Sequence, residues 1–333
     1  MTGRQSQFPN DPNRFIAQQA EVNTTTRITT HMKHQSTMRC SYLFLLILSV
    51  IHTQTLAEER PNIVFILADD MGWNQPGFNG GNPALTPNID HLASEGMRLN
   101  DFYTHSVCAP TRAAFLTGRY AFRTWSDWRS EDFGKPSYLA KLGLELAVND
   151  RGEPTRRIHA LDTNERTIAE ALGDAGYFTS LIGKWHLGHG NKSLLPMSHG
   201  FDSFIGHTGG CIDFFTMTYG IIPDWYHQEK HVSENGYATE LITDEAISFL
   251  NSRESDSDPF FLYLAYNAPH FGKGWSPSAQ TPINIMQPQA QDLKRVSFIE
   301  DKVRREFAAM AVSLDDGVGR VMDALESNGL EEN

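Results

Sequence analysis

Three short, continuous apolar runs constrain the fold more than any other feature of the sequence. They cover residues 63–68, 179–182 and 260–266. Such a run is typical of a strand buried on both faces, as in the middle of a parallel sheet. The segments between the runs carry apolar residues at helical spacing. The alternation therefore predicts an α/β fold, with a mostly parallel central sheet and helices on both of its faces.

Several local signals predict where the helices lie. Thr86 followed by Pro87 is typical of a helix start, and Gly96 of its end. Asp162 and Glu165 resemble a capping box that begins another helix. Further predicted helices cover residues 110–116, 237–251 and 301–325. Residues 121–160 receive no assignment, and residues 271–292, rich in Gly, Pro, Gln and Ser, are predicted to be a long loop.

Each of the three predicted strands is followed at once by polar side chains. Asp69 and Asp70 follow the first, Lys184 and His186 the second, and His270 the third. Ligands of parallel α/β sheets bind outside the carboxyl ends of the strands. These side chains are therefore expected to meet at one edge of the sheet, where a site would form.

Composition limits the class of function. The formal net charge of −12 argues against nucleic-acid binding, which requires clustered Lys and Arg. The three cysteines are too few for a disulfide scaffold. Cys108 and Cys211 could still pair in an oxidising compartment, and that alternative stays open.

The N-terminal region resembles a targeting sequence. Residues 42–51 are almost wholly apolar, follow Lys33 and Arg39, and precede the small residue Ala57. The run is shorter than the roughly 20 apolar residues of a bilayer span. We therefore expect a leader over residues 1–37, a signal peptide over 38–57 cleaved after Ala57, and a catalytic domain over 58–333. Such a protein would be secreted or periplasmic, without a stable membrane span; an N-terminal anchor behind a disordered tail is the alternative.

Individual residue types point to the chemistry of the site. Adjacent carboxylates such as Asp69 and Asp70 suit Ca²⁺ or Mg²⁺, provided that the strand breaks there. Cys108 and Arg112 are four residues apart and would share one face at the start of a helix, where anions are favoured. Lys184 and His186 would face the same way if extended, and would suit an anion and a leaving group that needs a proton. A solvated turn, a structural cysteine and a surface histidine are the plainer interpretations.

Taken together, these residues resemble the formylglycine-dependent sulfatases of the alkaline-phosphatase-like superfamily. The run from Cys108 to Arg112 reads Cys-Ala-Pro-Thr-Arg, and residues 183–188 read Gly-Lys-Trp-His-Leu-Gly. The motif around Asp69 and Asp70, the Gly-Phe-Asp of residues 200–202, and His270 match in the same order. Within that family, the arylsulfatase B group, the N-acetylgalactosamine-4-sulfatases, is the most similar.

The resemblance implies a role for each residue. Cys108 would be oxidised by a formylglycine-generating maturation enzyme, and one hydroxyl of the aldehyde hydrate would attack sulfur. The second hydroxyl would then lose a proton to His186 and expel sulfate, with Arg112 steadying the hydrate. Lys184 and His270 would hold sulfate oxygens or assist the leaving oxygen. Asp69, Asp70 and the modified Cys108 would bind one Ca²⁺, and the substrate would be a sulfated small molecule or polysaccharide.

One departure from the family pattern leads to a further expectation. The family completes its calcium site with an Asp-Asn pair after a later strand, and no Asp-Asn pair occurs in this sequence. We therefore expect a C-terminally truncated domain with a half-encoded calcium site, and an inactive or misfolded chain. The alternatives are a degenerate, non-catalytic relative and a related phosphatase or phosphonate monoester hydrolase.

Overall fold

The computed structural model describes residues 60–124, 147–148, 154–155, 160–189, 192–253 and 258–331. Its strands are, in chain order, β1 Ile63–Asp69, β2 Ala147–Val148, β3 Pro154–Thr155, β4 Phe178–Lys184, β5 Ser203–His207, β6 Thr218–Tyr219, β7 Ile222–Pro223, β8 Tyr226–His227, β9 Lys230–His231, β10 Phe260–Pro269, β11 Gly272–Ser276 and β12 Thr281–Ile285. Its α-helices are α1 Pro87–Glu95, α2 Cys108–Thr117, α3 Ala121–Thr124, α4 Ile168–Asp174, α5 Ala238–Asn251, α6 Ala290–Arg295 and α7 Lys302–Ser327. Among these residues, none of the helices has both the length and the hydropathy of a membrane-spanning segment.

The main sheet of the described residues has six strands in the order β1-β10-β4-β5-β8-β9. The first four are parallel, whereas β8 and β9 join antiparallel at one end. All ten residues of β10 are buried, as expected for a strand between two neighbours and two helical layers. The predicted α/β fold with a mostly parallel sheet is thus confirmed.

The strand β10 shows how the two faces of the sheet are covered. Leu262, Leu264 and Tyr266 pack on one face with residues of α5 and α7. Phe261 and Tyr263 pack on the other face with residues of α2 and α4. Alternate side chains of a strand point to opposite faces, so one apolar run serves both cores. The prediction of helices on both faces is therefore confirmed.

Two local predictions were wrong. The helix expected near Asp162 begins instead at Ile168, where Thr167 and Glu170 form the capping box. Asp162 accepts hydrogen bonds from Asn164 in a turn that precedes it. Residues 271–292 are not a long loop, because they form the antiparallel hairpin β11–β12 and the start of α6. The expected leader and signal peptide, and most of the unassigned residues 121–160, lie outside the described residues.

Candidate active site

The site begins where β1 ends. Asp69 is the last residue of β1 and is 4 % exposed, whereas Asp70 is exposed and has a φ of 63°. The left-handed backbone at Asp70 is the predicted break in the strand. The register between β1 and β10 shifts just before Asp69, which then lies opposite Pro269. Asp69 is therefore brought beside His270, the next residue along.

Two glycines allow the strands to approach closely below the site. Gly183 of β4 pairs with Gly206 of β5, and their φ values are 113° and 144°. A Cβ at Gly183 would lie 2.0 Å from the carbonyl oxygen of Ala265, and one at Gly206 would lie 2.0 Å from that of Gly183. Only glycine fits such a backbone and such contacts. The glycines thereby place Lys184 and His207, the following residues, side by side.

Cys108 is the first residue of α2, as the sequence predicted. Its Sγ atom lies 3.2 Å from Nδ1 of His186, which is 78 positions further along the chain. A helix start favours negative charge, and the imidazole offers a proton acceptor or donor depending on its tautomer. The contact therefore suits a reactive group at position 108 that must exchange a proton.

A buried set of charges lies next to this pair. The Nζ atom of Lys184 donates to Oδ2 of Asp69, and Nη2 of Arg112 lies 3.7 Å from the same oxygen. Arg112 Nη1 donates to the Lys184 carbonyl oxygen at 2.6 Å, while Nη2 has no hydrogen-bond partner among the described residues. Two buried cations thus face one buried carboxylate, and the excess positive charge favours a bound anion.

The charges set the protonation of the groups around them. Burial alone would raise the pKa of Asp69, but the positive charges of Lys184 and Arg112 outweigh it and lower that pKa. Burial lowers the pKa of His186 well below its usual range, and the same two cations add to the effect. A neutral imidazole at His186 is able to accept a proton at neutral pH.

Lys184 and His186 were expected to face the same way if the segment were extended, but the segment is not extended as far as His186. The strand β4 ends at Lys184, and His186 has a φ of 56°, so the two are not alternate residues of one strand. Lys184 turns to Asp69, whereas His186 turns to Cys108. Both side chains still reach the same site, but they contact different partners there.

His270 lies beside the carboxylate of Asp70. Its Nε2 atom is 3.4 Å from Oδ2 of Asp70, and its Nδ1 atom is 2.8 Å from the carbonyl oxygen of Phe271. Burial and the charge of Lys184 lower its pKa, although the carboxylates of Asp69 and Asp70 act against them. The backbone contact fixes the ring and leaves Nε2 facing the acidic pair.

These contacts bring together the seven predicted site residues, which we name the Cys108 centre: Asp69, Asp70, Cys108, Arg112, Lys184, His186 and His270. Ligand atoms of Asp69, Cys108 and His270 lie within 4.8 Å of one another, so they can surround one metal ion. Both cations approach Oδ2 of Asp69, which leaves Oδ1 able to bind a metal ion. Two carboxylates of this kind fit a hard cation such as Ca²⁺.

Three residues that border the Cys108 centre were not predicted as site residues from the sequence. His207 ends β5, is fully buried, and lies near enough to Lys184 and Arg112 for their charges to lower its pKa further after burial. A Cβ at Gly210 would lie 2.6 Å from Nε2 of His186, so the glycine backbone packs on that ring. Cys211 is a buried free thiol, like Cys108 not disulfide-bonded, and burial raises its pKa to about 11. The signal that could have found His207 is the polar end of residues 203–207, a short run interrupted by glycine.

Known proteins are similar to this chain over most of its length. The family model described as "Sulfatase" matches residues 61–333. Mouse (Mus musculus) N-acetylgalactosamine-6-sulfatase is 30% identical over 290 residues, which are 83% of this chain and 49% of that protein. Arylsulfatase G of Rattus norvegicus is 33% identical, over 80% of this chain and 48% of its own length. The chain thus spans about half the length of the curated relatives it matches.

Solved structures are also similar to this chain. The crystal structure of Ps i-CgsB in complex with k-i-k-neocarrahexaose has a TM-score of 0.64 and 32% identity, covering 83% of this chain and 57% of that one. The putative sulfatase yidJ from Bacteroides fragilis, at 24% identity and a TM-score of 0.58, covers 83% of this chain and 61% of its own and has the same fold. The narrower resemblance to the arylsulfatase B group stays a prediction. By its sequence and by the fold that carries the Cys108 centre, the chain belongs to the sulfatase family.

Proposed function

We propose that this chain carries the nucleophile and the anion-binding groups of a sulfate-ester hydrolase. One observation carries the proposal. Cys108 Sγ lies 3.2 Å from His186 Nδ1, beside buried cations that outnumber the buried carboxylate. A nucleophile, a proton acceptor and an anion site within one centre are the parts that ester hydrolysis requires.

Each side chain has a task that its contacts support. Arg112 and Lys184 hold sulfate oxygens, because they are buried cations and Nη2 of Arg112 has an unused hydrogen. His186 accepts a proton at position 108, since its low pKa keeps the ring neutral. His270 directs Nε2 towards the acidic pair and the open side, where it meets the oxygen of the leaving alcohol.

Two groups that the family uses fit this centre. Formylglycine made from Cys108 by a maturation enzyme would supply a hydrated aldehyde as the attacking oxygen. Pro110 and Arg112 stand at the positions that the family's oxidation motif requires. Ca²⁺ held by Asp69 and Asp70 would neutralise negative charge on the sulfate. Lys184 and Arg112 keep Asp69 ionised, which is the state a cation needs.

We propose sulfated carbohydrate as the substrate class. The support is the Ps i-CgsB complex with an oligosaccharide and the similarity to an N-acetylgalactosamine-6-sulfatase. Small aryl sulfates would serve as surrogates. The signal-like residues 38–57 support a location outside the cytoplasm, and N-terminal sequencing of the mature protein checks that part.

The absent Asp-Asn pair led to the expectation of an inactive chain, whereas this proposal expects turnover, because ligand atoms of Asp69, Cys108 and His270 still lie within 4.8 Å of one another. The test that decides between them is coexpression of the chain with a formylglycine-generating enzyme. Mass spectrometry of the peptide around residue 108 should find an aldehyde in place of the thiol, and sulfate should be released from 4-nitrophenyl sulfate and a sulfated oligosaccharide. Cys108→Ala should abolish release. Cys211→Ala, the matched cysteine variant, should keep both the modification and the release.

The outcomes separate the competing functions. An intact thiol with glycan binding and no turnover would indicate a non-catalytic relative. Faster cleavage of 4-nitrophenyl phosphate or phosphonate than of the sulfate would favour a phosphatase or phosphonate hydrolase. Either result would overturn the proposal, as would turnover that survives Cys108→Ala.

A further inference from the structure

A second group of metal-binding side chains lies at the antiparallel end of the sheet. His227 is the last residue of β8, Glu234 follows β9, and Glu245 lies on α5. One ligand atom from each lies within 4.8 Å of the other two, and all three residues are partly buried. The residues come from three different segments, so only the fold brings them together. We name these three residues the His227 group.

The carboxylate of Glu234 is oriented by a neighbour. Trp225 Nε1 donates to its Oε2 atom at 3.1 Å, which turns Oε1 towards Nε2 of His227. Although these two atoms are in contact, Nε2 of His227 is buried and makes no hydrogen bond within the described ranges. The contact is an ion pair when the imidazole is protonated, and a bound cation would separate the two atoms to the spacing of neighbouring ligands. The indole is the kind of outer partner that orients metal ligands.

The charges of the His227 group also favour a cation. Glu234 and Glu245 each bring a carboxylate oxygen within 4.8 Å of the other and of a His227 nitrogen, and Asp244 precedes Glu245 on α5. Asp244 has its own partner, since Arg320 Nη2 lies 2.5 Å from its Oδ1 atom. Two acidic side chains therefore lie close together beside one imidazole, and two ionised carboxylates at this distance repel each other. A divalent ion would relieve this repulsion.

We propose that His227, Glu234 and Glu245 bind Zn²⁺ at a structural site separate from the Cys108 centre. One imidazole nitrogen with two carboxylate oxygens is a donor set that suits zinc, whereas Ca²⁺ and Mg²⁺ prefer oxygen ligands alone. Water fills the remaining position, because the group is partly open to solvent. The ion joins the β8–β9 end of the sheet to α5. The site does not depend on the proposed sulfatase activity.

The test is a titration of the purified chain with Zn²⁺, carried out in a Cys108→Ala background that removes the half-buried thiol of the Cys108 centre. Isothermal calorimetry and thermal unfolding report binding, and Co²⁺ in place of Zn²⁺ reports a tetrahedral site through its visible spectrum. The parent should bind one ion at this site and gain thermal stability in proportion to occupancy. His227→Ala, Glu234→Gln and Glu245→Gln should each lower the affinity more than about tenfold.

The matched control is His231→Ala, which changes the other histidine of the same hairpin. His231 is exposed, and its ring lies 4.0 Å from that of Tyr226 instead of facing the carboxylates. The His231→Ala protein should keep full affinity for zinc. Glu234→Gln preserves size and the Trp225 contact, so its loss of affinity cannot be assigned to unfolding, which circular dichroism checks. Equal binding by the His227→Ala and His231→Ala proteins, or no binding by the parent, would reduce the group to an ion pair and overturn the proposal.

Discussion

The Cys108 centre and the His227 group contain similar side chains in different surroundings. In the Cys108 centre, Lys184 and Arg112 are buried against Asp69 at the carboxyl ends of parallel strands. In the His227 group, two carboxylates and an imidazole lie half-buried at the antiparallel end of the same sheet. The buried side chains of the first arrangement have excess positive charge and suit an anion, which Ca²⁺ held by Asp69 and Asp70 would also attract. The second has excess negative charge and suits a metal cation alone. Residue type alone therefore does not decide what a site binds.

The largest expected effect comes from the buried cation of the Cys108 centre. Lys184→Met leaves the carboxylate of Asp69 short of its main partner and removes a sulfate ligand. The free energy of unfolding should fall by about 3–5 kcal/mol, as when one half of a buried ion pair is lost. Urea unfolding measures this, and sulfate release should fall with it.

The matched change is Lys192→Met. Lys192 pairs with Glu229, and its side chain is 76% exposed. An exposed pair contributes less than about 1 kcal/mol, so this variant should resemble the parent in stability and in activity. Equal destabilisation by both variants would mean that burial does not distinguish the Cys108 centre.

The next effect concerns the histidine that contacts Cys108. His186→Gln removes the proton acceptor, and the rate constant for sulfate release should fall by about 10²–10⁴-fold. Zinc affinity should not change, because the His227 group does not use His186. Steady-state kinetics and zinc calorimetry on the same protein give both readouts. Unchanged turnover would show that His186 does not act at position 108.

A smaller effect follows from the glycine that packs on His186. An added methyl at Gly210 would lie 2.6 Å from the ring, so Gly210→Ala should displace the histidine. A displacement of this size should cost on the order of tenfold to 10²-fold in turnover. Gly173→Ala is the control, because a Cβ at Gly173 meets open space in α4. A normal rate in the Gly210→Ala protein would show that the ring has room to move.

The smallest effect is expected from removing zinc. A chelator that strips the His227 group should lower the melting temperature by about 3 °C, because binding that adds about 1 kcal/mol shifts the melting temperature of a domain of this size by about 2–4 °C. The turnover of sulfate with excess Ca²⁺ present should stay the same. Differential scanning calorimetry with and without added Zn²⁺ measures the shift. A loss of turnover on zinc removal would show that the two sites are coupled.

Local pattern was sufficient for the three most apolar strands of the sheet, although β1 lies at one end of the described sheet and is only partly buried. Residues 63–68, 179–182 and 260–266 were predicted as strands because continuous apolar runs need two covered faces, and they lie in β1, β4 and β10. The strand β5 and the hairpin β11–β12 were missed. Both contain glycine or exposed residues, and their stability depends on pairing with distant partners that a local pattern does not contain.

The capping box shows how a correct rule can select the wrong residue. Asp162 with Glu165 and Thr167 with Glu170 have the same spacing of an N-cap and an acid. Packing decides between them, because Thr167 is buried and its hydroxyl donates to the carbonyl oxygen of His199 at 2.8 Å. Asp162 has no such anchor and instead holds a turn.

The sequence by itself determined the family, three strands of the sheet and the seven residues of the Cys108 centre. It could do so because strand ends and motifs are properties of neighbouring positions. Only the tertiary structure decided which atoms meet: Lys184 with Asp69, His186 with Cys108, and His227 with two glutamates. The left-handed backbone at Asp70 and His186 redirects their side chains, and the His227 group joins three separate segments. Both depend on contacts between residues far apart in the chain, which no local pattern encodes.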